Sequence, residues 1–397
     1  MPHFLSGNEV VLLHSGREYF PALLAAIAAA RSSIYLETYI YHDDATALAV
    51  TEALAAASQR GVAVRVTVDG FGTHVFPKAL RGRFEAAGVA LAVFRPELGV
   101  WWPSLQRLRR MHRKLALIDD EVGFVTGINI LDDLVDPNHG ALDAPRFDFA
   151  VRVRGPVVGR MALAMKSQWL RTGWLHSGGT SAFARQLLHD ARREWPRVTD
   201  AAGRSQRAAF VVRDNLRHRV SIERVYLAAI GHARREITIS NAYFLPGRRF
   251  RKALRHAVQR GVRVRLLLQG RTEYVLQQYA TQALYKDLLA AGIEIHEYQR
   301  SFLHAKVAVI DDEWATVGSS NIDPFSLLLA REANIVVRDQ GFAVALRAAL
   351  DAAIAVDALR IVATHHERRP ALLRALSWIA YGVLRFGVLL TGQASRY

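Results

Sequence analysis

The chain of 397 residues contains no cysteine. That excludes a disulfide framework, a thiolate metal site and a cysteine nucleophile, and it fits a reducing compartment without requiring one. Lysine is nearly as scarce, with six among 52 basic residues: Lys78, Lys114, Lys166, Lys252, Lys286 and Lys306. Nowhere do about 18 uncharged apolar residues run together, so a simple transmembrane span is not expected. The closest approach, Ala371 to Leu390, is broken by Arg374 and Arg385. Residues Met1 to Gly7 have neither the basic nor the apolar region of a signal peptide. Acidic residues are the minority charge, 36 against 52, leaving a formal +16. A surface that positive suits a polyanionic partner, either nucleic acid or anionic lipid.

What is present is ordinary globular composition, 51% hydrophobic and 22% charged, spread over a length that predicts two domains. An internal repeat supports the division. Arg60–Gly70 returns as Arg260–Gly270, Ala86–Phe94 as Ala290–Tyr298, and Met111–Glu121 as Leu303–Glu313. Each pair is a helix end or turn leading into an apolar, β-rich run, and the three pairs keep their order. The pattern predicts a duplicated α/β domain with a largely parallel sheet flanked by helices. The expected units are residues 1–200, residues 201–360 and a basic, amphipathic segment at 361–397. The boundary falls between about residues 175 and 207, with a turn at Gly178–Ala182 and a weak helix signal from Phe183 to Arg193.

The third repeat carries the chemistry. One copy reads His304-x-Lys306, then Asp311, then Gly318-Ser319-Ser320-Asn321; the other reads His112-x-Lys114, then Asp119, then Thr126-Gly127-Ile128-Asn129. On a strand His112 and Lys114 share a face, while Asp119 falls on the other face or at the strand end. Both motif positions keep Lys in an arginine-rich chain, and a compact ammonium fits beside a phosphoryl oxygen where a guanidinium fork does not. Metal ligation is disfavoured, since protonated Lys is a poor ligand and no His-x-x-x-His or Cys pair accompanies these residues. No cofactor is expected. Two histidines suit phosphodiester exchange through a covalent intermediate, with one imidazole neutral to attack and the other protonated to release the alkoxide. Lys114, Lys306, Asn129, Ser319 and Asn321 are the expected partners of the non-bridging oxygens.

This spacing resembles the paired HKD signature of the phospholipase D superfamily, with Thr126-Gly127 standing where the pattern has Gly-Ser. The resemblance implies two tandem α/β/α sandwich domains with the active site at their interface. It assigns His112, Lys114, Asp119, His304, Lys306 and Asp311 to catalysis, with His112 as nucleophile and His304 as acid and base. It also places Asp148 and Glu332, each opening an apolar strand downstream of a motif, against the catalytic imidazoles. Outside the motifs, Leu36–Ile40, Val211–Asn215, Ser240–Arg249 and Ala315–Pro324 are similar to the bacterial cardiolipin synthases of the B type, which lack an N-terminal transmembrane pair. That implies transfer of a phosphatidyl group to phosphatidylglycerol from phosphatidylethanolamine or a second phosphatidylglycerol. It further implies a peripheral enzyme on the cytoplasmic face of the inner membrane, with no nucleic acid partner.

Two other classes fit parts of the sequence. A basic phosphodiesterase of nucleic acid would use the +16 charge, and could stack bases on Trp101 and Trp102. A lipid-surface adaptor with a decayed site would not keep two intact motifs. In the last segment, helical spacing puts Arg374, Ser377, Tyr381 and Arg385 on one polar stripe. Leu372, Leu373, Leu376, Trp378, Ile379, Val383, Leu384, Phe386, Val388 and Leu389 cover the other faces. This predicts a helix lying in the membrane interface, with His365–Arg369 adding attraction to anionic lipid.

Overall fold

The computed structural model describes residues 2–96, 110–176, 205–214, 218–363 and 370–389. Trp101, Trp102, the Gly178–Ala182 turn, the Phe183–Arg193 segment and His365–Arg369 lie outside the described residues.

The first half runs β1 (Leu5–His14), α1 (Ser15–Ala28), β2 (Ser33–Thr38), α2 (Ala45–Gln59), β3 (Ala63–Asp69), α3 (Lys78–Ala87), β4 (Ala90–Phe94), β5 (Lys114–Ile118) and β6 (Val122–Thr126). A small ribbon of β7 (Val135–Asp136) and β8 (Gly140–Ala141) follows, then β9 (Phe149–Arg154) and α4 (Val157–His176). The second half repeats the plan with β10 (Gln206–Arg213), α5 (Ser221–His232), β11 (Glu236–Asn241), α6 (Arg248–Gln259), β12 (Arg263–Gln269), α7 (Val275–Ala283), α8 (Tyr285–Ala290) and β13 (Glu294–Tyr298). It closes with β14 (Lys306–Ile310), β15 (Trp314–Gly318), α9 (Pro324–Leu328), β16 (Glu332–Arg338), α10 (Gln340–Val356), β17 (Ala358–Ile361) and α11 (Ala371–Leu389).

The two halves share one sheet of 15 strands in the order β17-β13-β12-β11-β14-β15-β16-β10-β1-β9-β6-β5-β2-β3-β4. They meet where β1 and β10 pair antiparallel. The expectation of a largely parallel sheet is corrected: only β2-β3-β4 and β11-β12-β13 run parallel, and every other pairing is antiparallel. The reason is local. Asp119-Asp120 and Asp311-Asp312 all adopt positive φ, between 54° and 58°, the backbone of a tight hairpin turn, so β5–β6 and β14–β15 must fold back on themselves. Parallel neighbours need a crossover helix, and only α2, α3 and their second-half counterparts supply one.

The motif strands lie in the middle of each half-sheet and are buried on both faces. Leu115 and Leu117 join one core, which continues across the join to Phe342, Leu346 and Leu350 of α10. Ala116 and Ile118 join the core under α1, α2 and α3. Such strands carry almost no freedom of register, because a one-residue slip would turn Lys114 into the opposite core.

Candidate active site

Both histidines precede their motif strands and are docked by backbone to the other half. His112 N donates to Arg331 O at 3.0 Å, and His304 N donates to Phe147 O at 2.9 Å. Arg331 and Phe147 immediately precede Glu332 and Asp148, so this docking brings each carboxylate to the imidazole of the opposite half. His112 Nδ1 lies 3.0 Å from Glu332 Oε1, and His304 Nδ1 lies 2.7 Å from Asp148 Oδ2. With both Nδ1 atoms engaged, Nε2 of each ring is left for a substrate. Tyr39 packs edge-on against His112 at 4.8 Å between ring centroids.

Lys114 Nζ donates to His112 O at 2.7 Å, and Lys306 Nζ to His304 O. Lys114 and His112 share a face as the alternation requires, and the intervening Arg113 points the other way into a buried ion pair with Glu37. His112, His304, Asn129, Asn321 and Asp148 line a single cavity of about 1050 Å³. Asn129 spends its carbonyl on Ile40 N at 3.1 Å, which leaves its amide NH₂ for a ligand. Asn321 Oδ1 is buried with no partner among the described residues.

Electrostatics separate the two pairs. Burial holds His112 below its ordinary value against the pull of Glu332. Glu332 itself is pushed up by burial, but His112, Lys114 and Ser319 outweigh this and keep it below the usual carboxylate range. In the other pair burial moves both members toward their neutral forms. His304 falls well below its ordinary value, and Asp148 rises to about 7, so this pair shares one proton near neutrality. Burial also pulls Lys114 down to about 7, and lowers Lys306.

A family profile described as "Cardiolipin synthase, PLD-like domain" matches residues 23–142 and 226–354. The chain belongs to the cardiolipin synthase family of phospholipase D-like proteins. Cardiolipin synthase B of Escherichia coli K12 is 37% identical over 392 residues, which span 97% of this chain and 90% of that one. Cardiolipin synthase B of Salmonella typhimurium is 38% identical over 391 residues, with the same coverage. Cardiolipin synthase A of Pseudomonas putida is 31% identical over 339 residues, 85% of this chain and 66% of its own. In fold, the chain is similar to the crystal structure of phosphatidylserine synthase from Haemophilus influenzae, with a TM-score of 0.70 at 12% identity over 99% of this chain and 97% of that one.

Against this family pattern three expected site residues need correction. Asp119 and Asp311 stand at the far ends of the motif strands, roughly 15 Å of strand away from the histidines. Asp119 accepts from the backbone of Arg31, Ser32 and Ser33 at 2.8–2.9 Å, and Asp311 from Arg234, Arg235 and Glu236 at 2.7–2.9 Å. They tie down the entries to β2 and β11 and reach no reacting group. Ser319 is not free for a phosphate either, since its hydroxyl donates to Glu332 Oε2 at 2.5 Å. Its counterpart Gly127 has a matching cause: a Cβ there would stand 2.6 Å from both carboxylate oxygens of Asp148. Sequence reading missed the exchange of acids between halves. It also missed Asp69 and Gln269, equivalent strand ends that accept from Met111 N at 2.7 Å and Leu303 N at 2.8 Å, just before each histidine.

The C-terminal helix is also only partly as expected. Ser377, Ala380 and Leu384 are buried, the latter two in the core beneath α7, and Leu384 and Gly387 line the cavity that holds His112 and His304. Ser377, placed on the polar stripe, therefore turns inward, its hydroxyl satisfied by Leu373 O. Leu372, Leu376, Ile379, Val383 and Phe386 form the outward face. Among the described residues no helix is long and apolar enough to cross a membrane.

Proposed function

We propose that the chain exchanges phosphodiesters between phospholipids by way of a phosphohistidine, joining a phosphatidyl group to the glycerol hydroxyl of phosphatidylglycerol. One observation carries this reading: two histidines from different halves, each oriented through Nδ1 by the other half's carboxylate, open onto one cavity. His112, neutral because burial lowers its pKa, attacks phosphorus through Nε2 as the bond to the donor's head-group oxygen breaks. His304 gives its proton to that oxygen, and the free alcohol leaves. In the second step His304, now neutral, takes the proton of the acceptor hydroxyl; the acceptor oxygen attacks phosphorus, the P–N bond breaks, and His112 is restored. Lys114, Lys306 and the amides of Asn129 and Asn321 offset the charge on the non-bridging oxygens. Two phosphatidylglycerols would give cardiolipin and glycerol; phosphatidylethanolamine as donor would give cardiolipin and ethanolamine. One diester replaces another, so no activated donor is needed.

The partner surface in this reading is an anionic bilayer on the cytoplasmic side, held without a spanning helix. The outward apolar face of α11, flanked by Arg374 and Arg385, supports it. So does continuity, because the opposite face of the same helix forms part of the cavity wall. Lipid analysis after incubation with phosphatidylglycerol, with and without phosphatidylethanolamine, tests the activity. Cardiolipin should appear, with glycerol or ethanolamine released in equal amount. Absence of cardiolipin from both mixtures, with cleavage of nucleic acid instead, would overturn the reading.

A further inference from the structure

The two halves of the cavity are built on one repeat but lined by different chemistry. Tyr41 and Phe244 make equivalent bridges to Ile130 and Ile322, which makes Ile40 the counterpart of Tyr243. Gly70 and Gly270 close equivalent repeats, which makes Thr73 the counterpart of Glu273. In the first half Thr73 is spent on backbone: its hydroxyl donates to Tyr39 O and accepts from Tyr41 N, both at 3.0 Å. Beside it Phe71 and Arg110 line the cavity, with the Arg110 guanidinium 4.3 Å over the Phe71 ring; the first half's acids on the cavity, Asp133, Asp136 and Asp148, come from the later segment. In the second half Glu273 lines the cavity, and Glu273 Oε2 accepts from the Tyr243 hydroxyl at 2.7 Å. Its other oxygen has no partner among the described residues. Glu273, Tyr243 and His304 line the same cavity, and Asp136, Lys306 and Arg146 are the charged groups that act on this carboxylate.

We infer that Glu273 and Tyr243 form a polyol subsite, holding the glycerol hydroxyls of the alcohol that leaves or enters beside His304. The inference rests on the proposed phosphatidyl transfer and adds where the alcohol sits. A carboxylate repels a phosphodiester but accepts hydrogen bonds from hydroxyls, so this wall cannot cradle the phosphatidyl group and can cradle glycerol. Burial and the neighbouring Asp136 raise the pKa of Glu273 against the lowering pull of Tyr243, Lys306 and Arg146, and in either protonation state it keeps an acceptor oxygen for a hydroxyl. The reacting hydroxyl would face His304 while a second hydroxyl donates to Glu273. Water and simple alcohols lack that second hydroxyl, and the subsite thereby favours transfer over hydrolysis.

The test partitions one phosphoenzyme between two acceptors. A short-chain phosphatidyl-p-nitrophenol donor is supplied with equal concentrations of glycerol and 1-propanol, which have the same carbon skeleton but different hydroxyl counts. The ratio of the two phosphatidyl products is internal to each turnover and does not depend on how much enzyme is folded. The wild type should favour glycerol. Glu273→Gln should lower the ratio about tenfold, the effect of one hydrogen bond to a charged group, and Tyr243→Phe should lower it in the same direction by less. An unchanged ratio in both variants, or a wild type that does not favour glycerol over 1-propanol, overturns the subsite. If the ratio falls but the wild type makes no cardiolipin from phosphatidylglycerol, the lipid-synthetic reading fails and the subsite stands.

Discussion

Replacing Asp148 with Asn should damage the work of His304, in the other half of the chain, and spare that of His112, in its own. The side chain keeps its shape, but Asn cannot stabilise an imidazolium across the 2.7 Å contact to His304 Nδ1. A hydrogen bond to a charged partner contributes about 1.5–3 kcal/mol, so turnover of a natural phospholipid should fall roughly 10- to 150-fold. The diagnostic assay uses a donor with p-nitrophenol as leaving group, which departs without a proton. Mixed rapidly with enzyme, that donor should still give a burst of nitrophenolate equal to the enzyme present, followed by slow turnover, in Asp148→Asn and in His304→Ala. Glu332→Gln, which acts on His112 through the 3.0 Å contact, should slow the burst itself. Loss of the burst in Asp148→Asn with its survival in Glu332→Gln would refute the crossed assignment.

Gly127→Ser, although it restores the hydroxyl of the family motif, should cost tenfold or more in activity, because its Cβ would stand 2.6 Å from both oxygens of Asp148; a variant as active as wild type would show that the carboxylate has room to move. The pH profile of kcat/KM should be a bell. Its acid limb should lie below 6.5, where buried His112 takes up a proton, and its alkaline limb near 7, where Lys114 and the proton shared by Asp148 and His304 are lost; a rate still rising through alkaline pH would be contrary. Ile379→Glu on the outward face of α11 should weaken sedimentation with anionic vesicles roughly 10- to 100-fold, the worth of one large apolar side chain, while activity on detergent-dispersed lipid stays near wild type. Equal vesicle binding by the two proteins would remove α11 from the membrane surface.

The duplicated plan and the inward pair of His and Lys were legible because repeat order and strand alternation are local properties of the sequence. Antiparallel pairing was not foreseen, although the Asp119-Asp120 and Asp311-Asp312 pairs that turn the hairpins were in view as part of the motifs. Asp119 and Asp311 read as site residues because the motif brackets them with the histidines, yet a five-residue strand carries them to the opposite edge of the sheet. The acids were found and their owners were not, since spacing along one chain cannot tell whether Asp148 serves His112 or His304. The departure at Gly127 made sense only once the Asp148 carboxylate was seen to occupy the space a side chain would need. In α11, periodicity separated polar from apolar faces but could not say that the Ser377 face would be the one to meet α7.

The exchange of carboxylates also has a consequence for how the protein comes to be active. The two contacts span 220 and 156 residues of chain, so neither forms until distant segments have already docked and met the entropy of closing such loops. Each half can bury its own helices against its own strands first. On refolding, helical signal should therefore return ahead of catalysis, and mis-docked halves would look folded yet be inert. The same geometry is satisfied when the second half comes from another copy of the chain. At high concentration, refolding could then yield interlocked dimers whose two sites are each composed of parts from both molecules.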